Sequence, residues 1–121
     1  MAHALNWFEI PVSDMDRASK FYGAILDTNL HVQEPMAGFV MAMLPAEDGI
    51  GGAIVSGEDY TPGHDGALIY LNGGDDLKVI QDCVEAAGGK MFMEKSSIGG
   101  NGFMALFEDS EGNKVGLHSM T

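Results

Sequence analysis

One order of elements is used twice along this chain, and that repetition constrains the fold more than any other feature. LNWFEIPV, residues 5–12, alternates at period two. Its even positions hold Phe8, Ile10 and Val12, and its odd positions hold Trp7, Glu9 and Pro11. Such alternation marks a strand with one apolar face. Ser13 or Asp14 then offers a helix N-cap. In DMDRASKFYGAIL, Ala18, Phe21, Tyr22 and Ile25 follow at spacings of three and four, the pattern of an amphipathic helix. The even strand face is predicted to lie under that helix, with Trp7 and Glu9 on the other side of the sheet. Three further strands are expected at 30–34, 38–44 and 52–56, separated by turn residues.

The order then recurs. A strand is expected at 67–72, followed by a helix at 75–87 with Leu77, Val79, Ile80, Cys83 and Val84 on its apolar side. Gly88 and Gly89 end that helix. Strands at 90–95, 103–108 and 114–119 complete the second copy. Asp14 and Asp75 stand 61 residues apart, and this offset pairs Trp7 with Leu68, Glu9 with Tyr70 and, roughly, Val55 with Gly116. The predicted class is α+β: two βαβββ modules, about 1–57 and 66–121, joined by a Gly-, Asp- and Pro-rich linker at 58–65. Each helix covers one sheet face. The opposite faces are expected to curve into a cup forming a mixed β-sheet, a natural seat for a ligand.

Bulk properties narrow the partners. A chain of 121 residues with 45% hydrophobic content suits one domain with a real core. Acidic residues outnumber basic ones 18 to 6, for a net charge of −12. Such a field disfavours nucleic acid and anionic membrane surfaces. No run of 18 apolar residues occurs, so no membrane span is expected. MAHALNWFEI lacks the charged start and long apolar run of a secretory signal. Cys83 is the single cysteine, which rules out an internal disulfide and suits a reducing cytoplasm.

NWFEIPVSDMDRASKFYGAIL resembles the opening of the vicinal oxygen chelate superfamily, which includes glyoxalase I, bleomycin-resistance proteins and extradiol dioxygenases. EAAGGKMF, with GFMALFEDSEGNKVGLHS after it, is similar to the closing half. The resemblance spans nearly the whole chain. It implies paired βαβββ modules, a homodimer whose sites use both subunits' modules, and a divalent metal held by His, Gln or Glu from the first and last strands of each module. Carried onto this chain, those positions are Trp7, Leu68 (or Ala67), Gly116 and a residue near Val55. None offers a metal-binding side chain. No inherited metal site and no other cofactor is therefore expected, and a divalent ion would need a relocated site.

What the resemblance leaves in the cup is an apolar recess. Trp7 stands where an imidazole is implied, and Gly116 where a carboxylate is. Glu9, Tyr70 and His118 surround them by strand alternation. Trp7, Glu9, Tyr70, Gly116 and His118 are the candidate ligand-binding residues. Trp7 supplies a stacking surface, Glu9 receives an amine or hydroxyl, and Tyr70 exchanges a hydrogen bond. The expected partner is a small organic molecule. Glu9 and His118 are also the candidate acid–base pair of an alternative reading, a glyoxalase- or dioxygenase-like enzyme. A third reading is a structural or regulatory dimer without a ligand. His3, His31 and His64 are expected to be solvated surface residues, and the methionines at 36, 41, 43, 91, 93 and 104 to fill the core. SSIGGNG, residues 96–102, is read as a lid or a plain hairpin connection.

Overall fold

Asp14 starts the first helix. Its backbone is extended, and its Oδ1 accepts from Arg17 N at 3.0 Å, which satisfies one donor that a helix start leaves unpaired. The computed structural model describes residues 3–121. Residues 1 and 2, the start of MAHALNWFEI and of the expected first module, lie outside the described residues. The chain divides into two units, Met1–Pro62 and Gly63–Thr121.

In the first unit, β1 (Trp7–Pro11) precedes α1 (Met15–Ile25), β2 (Phe39–Met43) and β3 (Gly51–Gly57). β3 is central, parallel to β1 and antiparallel to β2. α1 packs on β3 and β2 and buries Ala18, Phe21, Tyr22 and Ile25. Ile10, Val12, Ala42 and Ile54 join that core, so the even face of β1 does lie under the helix. Each large apolar side chain buried there contributes on the order of 1.5–3 kcal/mol. Gly23 sits inside α1 for a steric reason. A Cβ at this position would stand 2.8 Å from the Thr28 carbonyl oxygen, blocking the turn that follows the helix.

The expected strand at 30–34 does not form. Only Val32 bridges to Ala42, with Gln33 N donating to Met41 O at 2.9 Å. Pro35 has no N–H to extend the ladder. Met36 and Phe39 then exchange both backbone hydrogen bonds, and Ala37 (φ 50°) and Gly38 (φ 82°) reverse the chain between them. The first unit is thus β-α-β-β with two isolated bridges.

The second unit keeps the full order: β4 (Tyr70–Asn72), α2 (Lys78–Val84), β5 (Lys90–Ser97), a 3₁₀ turn (Gly99–Asn101), β6 (Phe103–Glu108) and β7 (Lys114–Ser119). The sheet runs β4-β7-β6-β5, with β4 parallel to β7 and the other pairs antiparallel. Leu71, Leu77, Val84, Ala105, Phe107, Val115 and Leu117 are buried. α2 is shorter than the sequence pattern suggests. At its start Leu77 N donates to Ser119 Oγ at 3.0 Å and Lys78 N to Asp76 Oδ1 at 2.9 Å, so the preceding residues form a turn. At its end Gly88 adopts φ 110° and Gly89 N returns to Val84 O at 2.9 Å. The apolar side also differs from expectation. Val79 is 71% exposed, while Gln81 is buried and its Oε1 accepts from Lys95 N at 2.7 Å. Lys95 Nζ reaches Asp76 Oδ1 at 2.8 Å and lies 4.6 Å from the centre of the Phe103 ring.

Residues of the segment at 58–65 are anchored within their own units. Tyr60 N turns back to Gly57 O at 3.2 Å in the first unit. In the second, Gly63 N donates to Asn113 Oδ1 at 3.0 Å, and His64 Nε2 meets Glu108 Oε2 at 2.7 Å with its ring edge-on to Phe92 at 5.3 Å. His64 is thus an exposed surface residue, as expected, with Glu108 as its partner. The six methionines are likewise not core filling: Met36, Met43 and Met93 are exposed and Met41, Met91 and Met104 only partly covered.

The registers fix how the two units correspond. Ile10 lies beside Ile54, which lies beside Ala42. Leu71 lies beside Leu117, which lies beside Ala105. Val12 N donates to Val55 O, and Gly73 N to His118 O. On the first strand the offset is 61, as predicted, so Glu9 corresponds to Tyr70. On the later strands it is 63. Gly116 therefore corresponds to Ala53, and His118 to Val55, which corrects the expected Val55–Gly116 pairing. The two extra residues lie between β4 and α2, where Leu77 rather than Asp75 occupies the cap position.

Gly102 adopts φ 99°, and a Cβ there would stand 2.4 Å from the Ser119 carbonyl oxygen. Gly102→Ala should destabilise the protein by roughly 1–3 kcal/mol in chemical denaturation. Gly63→Ala, where nothing lies within 4 Å, should be close to neutral. The Lys95 ammonium, followed by the Lys78 N–H, holds the Asp76 carboxyl below its ordinary value. A depressed carboxylate stabilises above its unfolded pKa and loses that contribution as pH falls through the folded one. The stability gap between the parent and Asp76→Asn, measured by thermal denaturation, should be open at neutral pH and close as pH falls through and below the ordinary aspartate range.

Candidate functional site

Each unit has one sheet face turned away from its helix, and the candidate residues lie on these two faces. In the first unit, Trp7 and Glu9 stand two apart on β1 and so share a face. Trp7 Nε1 donates to Glu9 Oε2 at 3.2 Å. The other carboxylate oxygen, Oε1, accepts from the Tyr60 hydroxyl at 2.8 Å. Tyr60 reaches Glu9 because Gly57 has no side chain: a Cβ there would meet the Tyr60 ring at 3.3 Å and the Phe39 Cβ at 3.0 Å. The Phe39 ring backs that of Tyr60 at 6.2 Å. The hydrogen bond to Glu9 raises the Tyr60 pKa above its ordinary value, because ionising the phenol would set two negative charges together.

In the second unit, register sets Tyr70 beside Gly116 and Asn72 beside His118. The space in front of Gly116 is filled by Tyr70, since a Cβ on Gly116 would stand 2.5 Å from the ring. The missing side chain thus serves as a seat for the aromatic. His118 Nε2 lies 2.7 Å from the Asn101 carbonyl oxygen. A carbonyl only accepts, so Nε2 carries the proton and Nδ1 is the nitrogen left over. Asn101 belongs to the 3₁₀ turn inside SSIGGNG. That segment is a hairpin connection, tightened by Ile98 N donating to Gly102 O at 2.9 Å.

Tyr70, Asn72, Ile98, Met104, His118 and Met120 line an open cavity of ≈ 950 Å³, within the range of small-molecule sites. Asp75 adds a carboxylate to its wall. Gly116 does not line it. The cavity belongs to the second unit alone, as the Trp7–Glu9–Tyr60 corner belongs to the first.

The positions of the metal implied by the resemblance carry no ligand side chain. Trp7 offers an indole, Leu68 and Val55 alkyl groups, and Gly116 no side chain. Ala53, the structural counterpart of Gly116, adds only a methyl. His118 has committed Nε2 to a carbonyl. Among the described residues, no three of His, Cys, Asp and Glu are grouped so as to hold an ion. The residues present do not fit the metal.

The sequence reading missed Tyr60 and Asn101. Tyr60 lies in a segment read as linker, and only the GEDY turn following a strand hinted that it would fold back. Asn101 acts through its backbone, for which side-chain identity gives no signal.

A family model, the Glyoxalase/Bleomycin resistance protein/Dioxygenase superfamily, matches residues 4–117. No curated protein matches the chain in sequence. Among solved structures, a glyoxylase/bleomycin resistance protein/dioxygenase domain from Frankia sp. EAN1pec is 15% identical with a TM-score of 0.76, covering 100% of each chain. TnmS3, an antibiotic binding protein from Streptomyces sp. CB03234, is 23% identical with a TM-score of 0.66, covering 100% of this chain and 99% of its own. The fosfomycin resistance protein FosX from Listeria monocytogenes is 17% identical with a TM-score of 0.69, covering 100% and 96%. At these identities the structural likenesses show the fold.

Ultraviolet titration of the phenols should find Tyr60 ionising above the ordinary tyrosine value of about 10. Glu9→Gln should bring that transition down. An unchanged titration in the variant would mean that the Tyr60–Glu9 bond does not form in solution.

Proposed function

Because the chain belongs to the Glyoxalase/Bleomycin resistance protein/Dioxygenase superfamily, we propose that it binds a small organic molecule without using the superfamily's metal ligands. The carrying observation is the second unit's cavity, which sets an aromatic ring, a thioether and an imidazole around a space of ≈ 950 Å³. Tyr70 is the stacking surface, and Gly116 positions it. Met104 and Met120 supply adaptable apolar contacts. His118 presents Nδ1, which accepts a hydrogen bond when neutral and donates one when protonated. The first unit offers a second ligand surface in Trp7 and Glu9. The antibiotic binding and fosfomycin resistance proteins among the structural neighbours support this class of ligand. The acidic balance of the chain favours neutral or cationic ligands over anions.

An acid–base reading rests chiefly on His118, whose Nδ1 is the nitrogen available to exchange a proton with a bound molecule. Glu9 is the carboxylate of that reading. We assign the protein to a reducing, cytoplasmic setting on its single thiol, and to a homodimer on its family. Among the described residues no helix is long and apolar enough to cross a membrane.

Thermal shift against a panel of aromatic and amphipathic compounds tests the proposal, since a ligand selective for the folded state raises the midpoint. At least one compound should stabilise the protein saturably. Tyr70→Ala should weaken its binding about tenfold, near 1.4 kcal/mol, and Gly116→Ala should also weaken it by displacing the ring. A panel without a stabilising compound, or stabilisation indifferent to both variants, overturns this reading. Metal analysis of the purified protein should find no stoichiometric ion, and a bound one would favour the enzyme reading.

A further inference from the structure

The Trp7–Glu9–Tyr60 corner holds a carboxylate oriented by two hydrogen bonds and, among the described residues, without a cationic partner. Each oxygen of Glu9 takes one donor, from Trp7 Nε1 and from the Tyr60 hydroxyl. A carboxylate oxygen has two lone pairs, so each retains one acceptor direction. Both donors are neutral, so the charge is held in place but not compensated. Among the described residues, no lysine, arginine or histidine forms an ion pair with Glu9. The chain has only six basic residues, and Lys20, Lys78 and Lys95 are each engaged by an aspartate. Trp7 is 39% exposed and presents part of its ring to solvent.

These facts select a class of ligand. A neutral molecule would leave the charge uncompensated. An inorganic divalent ion would find one carboxylate and two aromatic donors, too few oxygen ligands to replace its hydration shell. An organic ammonium group fits: its N–H bonds meet the remaining lone pairs of Glu9, and the hydrocarbon attached to it can pack on the exposed part of the Trp7 ring. We propose that Glu9, Trp7 and Tyr60 form a subsite for the primary ammonium group of an aryl-alkyl amine. The proposal rests on reading the first unit's open face as a ligand surface. It does not depend on the second unit's cavity.

Trp7 is the only tryptophan, so its fluorescence reports on the corner directly. The probes are phenethylammonium chloride and its neutral analogue 2-phenylethanol, titrated at constant ionic strength. The expected result is a saturable change at least tenfold tighter for the ammonium. Glu9→Gln should abolish that preference, and Tyr60→Phe should weaken it several-fold. Glu58→Gln removes an equal charge from the same unit and should leave the preference intact. Equal responses to the two probes, no saturable response to the ammonium, or equal losses in Glu9→Gln and Glu58→Gln would overturn the proposal, the last because the net field of the chain would then suffice. If the ammonium fails here while panel compounds still stabilise the protein through Tyr70, this inference falls and the cavity reading stands.

Discussion

Within each unit, everything depends on the parallel pairing of the first strand with the last. That pairing brings residues far apart in sequence into one row: Ile10, Ile54 and Ala42 in the first unit, and Leu71, Leu117 and Ala105 in the second. The rows are buried under α1 in the first unit and form the core in the second. Side chains alternate, so once the row is buried the neighbouring positions must point the other way. Glu9, Tyr70 and His118 reach the open faces as a consequence of what Ile10, Leu71 and Leu117 do on the covered ones. Their placement needs no local preference of their own. A one-residue slip would bury Glu9 and expose Ile10, which both the apolar burial term and the charge oppose.

Glycine then decides what the open faces can hold. Gly116 lets the Tyr70 ring approach the strand closely, and Gly57 lets Tyr60 turn back towards β1. In both cases a missing side chain gives an aromatic its position. The two faces nevertheless differ in chemistry. The first sets a carboxylate between an indole and a phenol. The second sets a tyrosine, methionines and an imidazole around open space. Two copies of one architectural plan thus present different surfaces because only the covered rows are constrained to be alike.

Much of this was legible in the sequence, and for clear reasons. The alternation from Leu5 to Val12 assigns Trp7 and Glu9 to the open face, because period two has no other reading once a helix covers one side. Asp14 marked its own cap. The failures are equally physical. The stretch at 30–34 has strand-like residues, but Pro35 and the reversal at Ala37–Gly38 deny it a partner ladder. Helix α2 starts late because Asp76 Oδ1 and Ser119 Oγ accept from the Lys78 and Leu77 amides, and Ser119 lies 42 residues beyond the Leu77 amide it caps. Asp14 and Asp75 look alike but do not do the same job, which moved the last-strand comparison by two residues. Tyr60 and Asn101 were missed because each acts through a long-range contact that no local pattern encodes.

The difference between the offsets of 61 and 63 also shows where the architecture tolerates changes of length. Both extra residues fall in the turn from β4 to α2, outside either hydrogen-bonded ladder, and the buried rows stay in step on both sides of it. Connections of this kind act as expansion joints: insertions or deletions there leave strand alignment untouched, whereas a change of one residue within β3 or β7 would invert an entire face. Divergence between the halves can therefore accumulate in the bends while the ladders keep time.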